Sequence, residues 1–330
     1  MKLVILIIKE ETLLDDFLKK CSNAGIKNIT VFDTDSCESE KGGTKHGGGG
    51  NIFNSIKYAL DYYNDESKTL FIPLYGKALM SKNKIFLNDP KAEEIITKIK
   101  YDFKSLKQSK WLSMYISLRA SIIDELCNEY ISTESNPTII HLGCGLDSRN
   151  LRVNQNYNKW YDIDFKEVID IRKKFYKETS KYEMIGCSVL NYDWLNHITD
   201  TSNILIVAEG LTMYLKEVEI KDLLKHIEDK FNNVTIIFDA YTKKAIKASK
   251  IKNPINQMNA KVYYGINNHK EFLALNNNLK YKETQIIKKD NNNLKGITKL
   301  IFNNLYCGKI SQSYYKIYKF ILKKEVQDKN

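Results

Sequence analysis

The sequence has no apolar run near the ~18 residues a membrane-spanning helix requires; its longest stretches, such as Leu3 to Ile8, are far shorter. That first stretch lacks the small-residue cleavage site of a secretory signal, so it reads as a strand. The six cysteines, at positions 21, 37, 127, 144, 187 and 307, include no Cys-x-x-Cys pair. Their scatter argues against a disulfide framework and against a zinc site, and fits a reducing cytoplasm. No Gly-x-Ser-x-Gly elbow occurs, which removes the esterase reading invited by His46 and the four glycines after it. Arginine is scarce: only Arg119, Arg149, Arg152 and Arg172 occur among 51 basic residues, all within 54 consecutive positions. In a chain made basic by lysine, each arginine marks a place where a planar, permanently charged fork is wanted.

What remains is an ordinary globular composition, 43% hydrophobic and 28% charged over 330 residues, which excludes a disordered or fibrous chain. The length suits about two domains and a large core. Charge is uneven. Residues 1–68 hold 9 lysines and 11 acids, whereas residues 241–330 hold 19 lysines and 5 acids, so the basic excess belongs to the last quarter. A nucleic-acid surface is one reading of that quarter. No nucleic-acid motif accompanies it, which favours a solvated lysine face.

Patterning divides the chain near residue 70. In residues 1–70, strands at 2–8, 28–32 and 69–72 and helices at 11–24 and 52–63 form a small βαβ-type module around a polar loop with six of the 15 glycines. Residues 71–330 begin with helices at 91–100 and 111–131 and then alternate. Strands are expected at 138–142, 159–163, 183–187, 203–208 and 234–239, with helices at 166–178 and 216–230. Such alternation implies a parallel sheet covered on both faces. Late strands at 281–288 and 314–323 flank a helical stretch at 295–306.

Strand 138–142 runs into Gly143-Cys144-Gly145-Leu146-Asp147-Ser148. Glycines there permit a tight turn and close backbone approach to a nucleotide, although Ser148 departs from the third small residue of a dinucleotide site. Asp164 ends the next strand, 19 residues past Gly145, where an acid can accept both ribose hydroxyls. The alternative is that Asp162 and Asp164 cap the following helix. Glu209 ends strand 203–208, at the edge where open α/β sheets bind ligands. Cys144 reads as a small residue in the turn and His141 as a satisfied core histidine. Tyr314, Tyr315 and Tyr318, among lysines, suit either base stacking or the last strand.

The segments Asn136–Arg149, Trp160–Lys173 and Ala208–Leu215 together resemble the leucine carboxyl methyltransferase family, in its bacterial branch of small-molecule O-methyltransferases, over about residues 70–325. The resemblance implies an α/β, Rossmann-like sheet of seven strands ending in an antiparallel hairpin, and S-adenosyl-L-methionine as cofactor. It also implies cofactor-binding residues: Arg119 on the methionine carboxylate, Glu209 near the amine, Gly143 and Gly145 in the turn, Asp164 on the ribose, and Lys77 as an early basic residue. Ser188 and Val189 fall where the family often has Asp-Leu beside the adenine, which leaves backbone contacts there. Residues 1–70 resemble a small P-II-like regulatory module; an extension that packs on the catalytic domain is the alternative.

The implied reaction is methyl transfer to a small-molecule acceptor, a carboxylate or hydroxyl, without membrane or nucleic-acid partner. A carboxylate is already ionised at neutral pH and needs no general base. The rival readings are a non-catalytic adenosylmethionine sensor and a nucleic-acid methyltransferase that uses the basic C-terminal region. The Asp/Asn-Pro-Pro-Tyr motif of amino-methylating enzymes is missing, since no two of the four prolines are adjacent.

Overall fold

The computed structural model describes residues 4–7, 29–32, 70–99, 101–249, 262–286, 294–307, 311 and 313–324. The chain divides into two compact units: Met1–Tyr63 with Ile99–Tyr101, and Asn64–Lys98 with Asp102–Asn330. In the first, β1 (Val4–Ile7) pairs in parallel with β2 (Ile29–Phe32), as a βαβ module requires. The helices expected at 11–24 and 52–63, and the glycine-rich loop with His46, lie outside the described residues.

The second unit is built on a seven-stranded sheet. Its strands are β3 (Thr138–Leu142), β4 (Lys159–Asp164), β5 (Tyr182–Gly186), β6 (Ile204–Ala208), β7 (Asn233–Tyr241), β8 (Leu279–Gln285) and β9 (Tyr315–Lys323). Their order is β5-β4-β3-β6-β7-β9-β8. Strands β3 to β7 are mutually parallel, and β9 runs antiparallel between β7 and β8. This is the Rossmann-like sheet with a terminal hairpin that the family resemblance implied. Every residue of β3 and β6 is buried, as strands covered on both faces require. The connections leave β3 in opposite directions, toward β4 on one side and β6 on the other, so a crevice opens beyond its C-terminal end.

One expectation is overturned. The predicted strand 69–72 falls at the start of helix α1 (Phe71–Lys82), and residue 69 lies outside the described residues. Leu70-Phe71-Ile72 looks strand-like, but Leu70, Phe71, Leu74 and Ala78 recur at helical spacing and are all buried. Pro73 sits in the first turn of the helix, where no backbone N–H is needed.

Helix α2 (Pro90–Lys98) follows, and then α3 (Lys110–Thr133), whose N-terminus is capped by the Ser109 hydroxyl accepting from the Leu112 N–H. Short α4 (Arg149–Arg152) follows the glycine turn, and α5 (Lys166–Arg172) ends six residues before the predicted limit. The remaining helices are α6 (Trp194–His197), α7 (Glu217–Lys230), α8 (Lys243–Ser249), α9 (His269–Leu273) and α10 (Gly296–Leu305). The main core joins one sheet face to α7 and α9 through residues such as Ile206, Leu224, Phe238, Phe272 and Phe320. A satellite core joins α1, α3 and α10 through Met80, Met114 and Phe302.

Candidate functional site

A cavity of about 220 Å³ opens at the C-terminal ends of β3, β4 and β6. Six of the eight residues expected to hold the cofactor line it: Lys77, Arg119, Gly143, Gly145, Asp164 and Glu209. They arrive from five separate places in the chain. Gly143 and Gly145 form the turn after β3, with φ of +66° and +52°. A Cβ at Gly143 would stand 3.2 Å from Leu211 Cδ1 in a backbone region that disfavours side chains, so glycine is required twice over. The turn is tied to β4, because the Gly143 N–H donates to the Ile163 carbonyl at 2.8 Å.

Asp164 ends β4. Its Oδ2 accepts from the Gly145 N–H at 2.7 Å, and its Oδ1 accepts from the Phe165 N–H at 2.8 Å. Burial pushes its carboxyl up to about 6, against those two amides. Asp162, two residues earlier, is fully buried and closed. It accepts from the Arg172 guanidinium, the Tyr182 hydroxyl at 2.6 Å and the Trp160 indole at 2.9 Å. Burial opposes ionisation there, but Arg172 and His141 overcome it and the carboxyl is held at about 2. Neither acid caps α5.

Arg119 projects from α3, whose Leu112, Tyr115, Ile116 and Arg119 lie on one helical face along the cavity. Its Nε and Nη2 both donate to Glu209 Oε1, at 2.9 and 2.6 Å. The other Glu209 oxygen accepts from Arg149. Burial would raise the Glu209 carboxyl, yet the two guanidinium groups hold it well below the usual range. Asp124, five residues further along the same helix, pairs with Arg149 and Arg152. Arg152 also reaches Asp89 and Asp147, and Lys77 pairs with Asp147 at 3.0 Å while only 2% exposed. All four arginines are therefore paired with carboxylates, and three of them brace the site from behind.

The other expected positions behave differently. Ser188 and Val189 are outside the cavity lining; Val189 is packed in the main core and the Ser188 hydroxyl accepts from the Leu190 N–H. The loop they belong to is held next to Asp164, whose carbonyl accepts from the Cys187 N–H at 2.8 Å. His141 sits between Asp162, 3.2 Å from its Nδ1, and Arg149, and burial lowers its pKa, so it is a neutral histidine of the core. Cys144 is buried and its thiol is pushed well up, which leaves no reactive thiolate. Among the described residues, no group of three or more His, Cys, Asp or Glu side chains is arranged to hold a metal.

Sequence reasoning missed Asp239 and a tyrosine cluster. Asp239, fully buried on β7, accepts from the Gly210 N–H at 2.6 Å and fixes the turn that carries Glu209. Its Oδ2 stands 3.4 Å from Arg119 Nη1, and burial pushes its carboxyl up to about 6 despite that arginine. An acid directly after the apolar run Val234-Thr235-Ile236-Ile237-Phe238 was the available signal. Tyr115, Tyr241 and Tyr315 meet at one end of the cavity beside Arg119.

The sequence profile of the Leucine carboxyl methyltransferase family matches residues 56–228. The chain belongs to that family. A curated relative, the tetracenomycin polyketide synthesis O-methyltransferase TcmP of Streptomyces glaucescens, is 30% identical over 218 residues, covering 66% of this chain and 81% of that protein. The S-adenosyl-L-methionine-dependent methyltransferase dpfgK of Gibberella zeae is 30% identical over 52% of this chain and 65% of its own length. Solved structures with similar folds include the magnesium protoporphyrin IX methyltransferase of Synechocystis PCC 6803, with TM-score 0.42 and 9% identity over 66% of this chain and 92% of that one. A DUF574 family protein of Streptomyces avermitilis has TM-score 0.47 and 8% identity over 68% of this chain and 89% of that one. As a member of the leucine carboxyl methyltransferase family, the protein is a methyltransferase whose methyl donor is S-adenosylmethionine. No helix among the described residues is long and apolar enough to cross a membrane.

Proposed function

We propose that this leucine carboxyl methyltransferase family member methylates a carboxylate oxygen of a small-molecule acceptor. The observation that carries the reading is the convergence of Lys77, Arg119, Gly143, Gly145, Asp164 and Glu209 on one cavity. These residues fit the donor. An arginine–glutamate pair complements an amino-acid zwitterion, with the Arg119 fork for the carboxylate and Glu209 for the ammonium. Glu209 keeps Arg149 on one oxygen, so Oε1 is the atom that exchanges partners. Asp164 spends one lone pair per oxygen on backbone amides and retains capacity for two ribose hydroxyls. The left-handed turn at Gly143 and Gly145 lets the backbone approach closely, and Lys77 pairs with Asp147 just after it. Beyond Asp164, the backbone of Ser188 and Val189 is left to read the adenine edge.

Bound S-adenosylmethionine supplies a methyl group activated by the adjoining sulfonium. The chain's part is to align that methyl with the acceptor oxygen and to exclude water. Among the described lining residues the single imidazole, His141, has Arg149 against its Nε2 and is neutral. Burial raises the Tyr115 phenol far above neutrality. Neither group is placed to take a proton, which suits an acceptor that arrives ionised. The relative TcmP, by its name an O-methyltransferase, supports oxygen as the acceptor atom.

The test is incubation with methyl-labelled donor and a panel of carboxylic acids, phenols and alcohols. Label is expected in methyl esters that mild alkali releases. Label confined to alkali-stable ethers would overturn the carboxylate assignment. Titration of S-adenosylhomocysteine should give micromolar or tighter binding, on the order of 8 kcal/mol.

A further inference from the structure

The end of the cavity beside Arg119 is walled by tyrosine. Register pairing sets Tyr241 at the end of β7 opposite Tyr315 at the start of β9. Tyr115 comes from α3, one turn before Arg119. The Tyr315 ring meets Tyr115 at 5.7 Å and Tyr241 at 5.6 Å between centroids, both nearly edge-on at 72° and 68°. The Arg119 guanidinium lies 5.8 Å from the centre of the same ring. Tyr315 is 4% exposed, lines the cavity, and its hydroxyl is buried with no hydrogen-bond partner among the described residues. The Tyr115 hydroxyl, by contrast, is engaged by Ser311.

A phenol is retained inside a folded chain when something satisfies it. Among the described residues none supplies that partner to Tyr315 or to Tyr318, and of the two only Tyr315 lines the cavity, next to the proposed donor carboxylate site. We infer that Tyr315 is the acceptor-positioning residue: its hydroxyl donates to one oxygen of the acceptor carboxylate, and the surrounding tyrosines select an acceptor with a planar aromatic body. This rests on the proposed carboxylate methylation. The chemistry agrees with it. A neutral donor on one carboxylate oxygen orients the group while leaving the other oxygen nucleophilic, whereas a close cation would quench both. Aromatic walls meet a planar ring edge-on or offset with a preference that an aliphatic chain does not receive.

The experiment measures binding of two probe acids, 2-naphthoate and octanoate, to the full-length protein loaded with S-adenosylhomocysteine, in wild type and Tyr315→Phe. 2-Naphthoate is expected to bind at least about tenfold more tightly than octanoate. Tyr315→Phe should weaken 2-naphthoate about tenfold, the loss of one hydrogen bond to a charged group. Affinity for S-adenosylhomocysteine should be unchanged. Melting temperature should hold or rise, because an unsatisfied buried hydroxyl is removed. Equal binding of the two acids, no binding of 2-naphthoate, or an unchanged 2-naphthoate affinity in Tyr315→Phe would overturn the inference. Failure of the carboxylate reading has a different signature: 2-naphthoate binds with the expected dependence on Tyr315, yet labelled methyl never appears in an alkali-labile ester.

Discussion

Asp162 and Asp164 stand two residues apart on β4 and differ in everything but side-chain type. Asp162 is surrounded by the chain's own donors, Arg172, Tyr182 and Trp160, and is fully buried. Asp164 is given only two backbone amides and faces the cavity. Both are desolvated, but Arg172 pulls the first carboxyl down to about 2 while burial carries the second up to about 6. A carboxylate completed by its own protein holds a fold together. One left incomplete at a strand end is available to a ligand.

The largest expected effect breaks the completed side. Asp162→Ala leaves the Arg172 guanidinium buried with only the Tyr182 hydroxyl and the Gly145 carbonyl. Removing one partner of a buried ion pair typically costs about 3–5 kcal/mol. Denaturant unfolding should show that loss with or without cofactor. The matching change on the open side, Asp164→Asn, removes the desolvated charge but leaves one acceptor oxygen for two backbone amides, so unfolding free energy should change far less than in Asp162→Ala. Its S-adenosylhomocysteine affinity should fall by about 1.5–3 kcal/mol, for bonds to a charged group. If calorimetry instead finds Asp164→Asn normal in affinity, the open acid is not the ribose site.

Arg119→Lys sharpens the same contrast at the other end of the cavity. Lysine keeps the charge opposite Glu209 but loses the fork that places Nε and Nη2 on one oxygen. Cofactor affinity should drop about tenfold, roughly one charged hydrogen bond. The melting temperature of the free protein should change little. A lower melting temperature with normal affinity would make Arg119 structural.

The parallel sheet, the glycine turn and both strand-end acids were legible because each rests on a local signal: an apolar run, a glycine pair, an acid at a run's end. Asp164 was separable from Asp162 by its place as the last residue of β4. What escaped depended on distant partners. The pairing of Arg119 with Glu209 spans 90 residues, and the tyrosine cluster assembles only when β7 and β9 register. The missed helix at Phe71–Lys82 shows the other limit: Leu70-Phe71-Ile72-Pro73 carries strand-like residues, and burial of a helical face against α3 overrides them.

Acid pH tests the comparison without mutation. Between the ordinary carboxyl range near 4 and about 6, folded Asp164 retains a proton that the unfolded chain has released, and Asp239 does the same. Stability of the free protein should therefore fall as pH rises through that window, then level off above 6. Cofactor affinity should run the opposite way. In the proposed site ribose hydroxyls would donate to the ionised Asp164, so affinity should be flat above about pH 6 and weaken below it, up to about tenfold per unit for one proton. Asp164→Asn should abolish that dependence. Its persistence in the variant would assign the proton to another group.

The smallest effect concerns the turn that links the two ends. At Gly145 an added Cβ meets only Leu70 Cβ, at 3.8 Å, so space is not the obstacle; the φ of +52° is. Left-handed backbone costs a non-glycine residue about 1–2 kcal/mol. Gly145→Ala should therefore lose about that much stability by denaturant unfolding, less than Gly143→Ala, where Leu211 at 3.2 Å adds crowding to a φ of +66°. Cofactor affinity should nevertheless be hit at Gly145, because its N–H donates to Asp164 Oδ2 and its carbonyl accepts from Arg172. Those two bonds couple the closed acid to the open one, so a shifted backbone moves Asp164 while Asp162 stays locked. Should Gly145→Ala lose stability and keep full affinity, the turn and the open acid would be independent, and the division between the two carboxylates would need no glycine to maintain it.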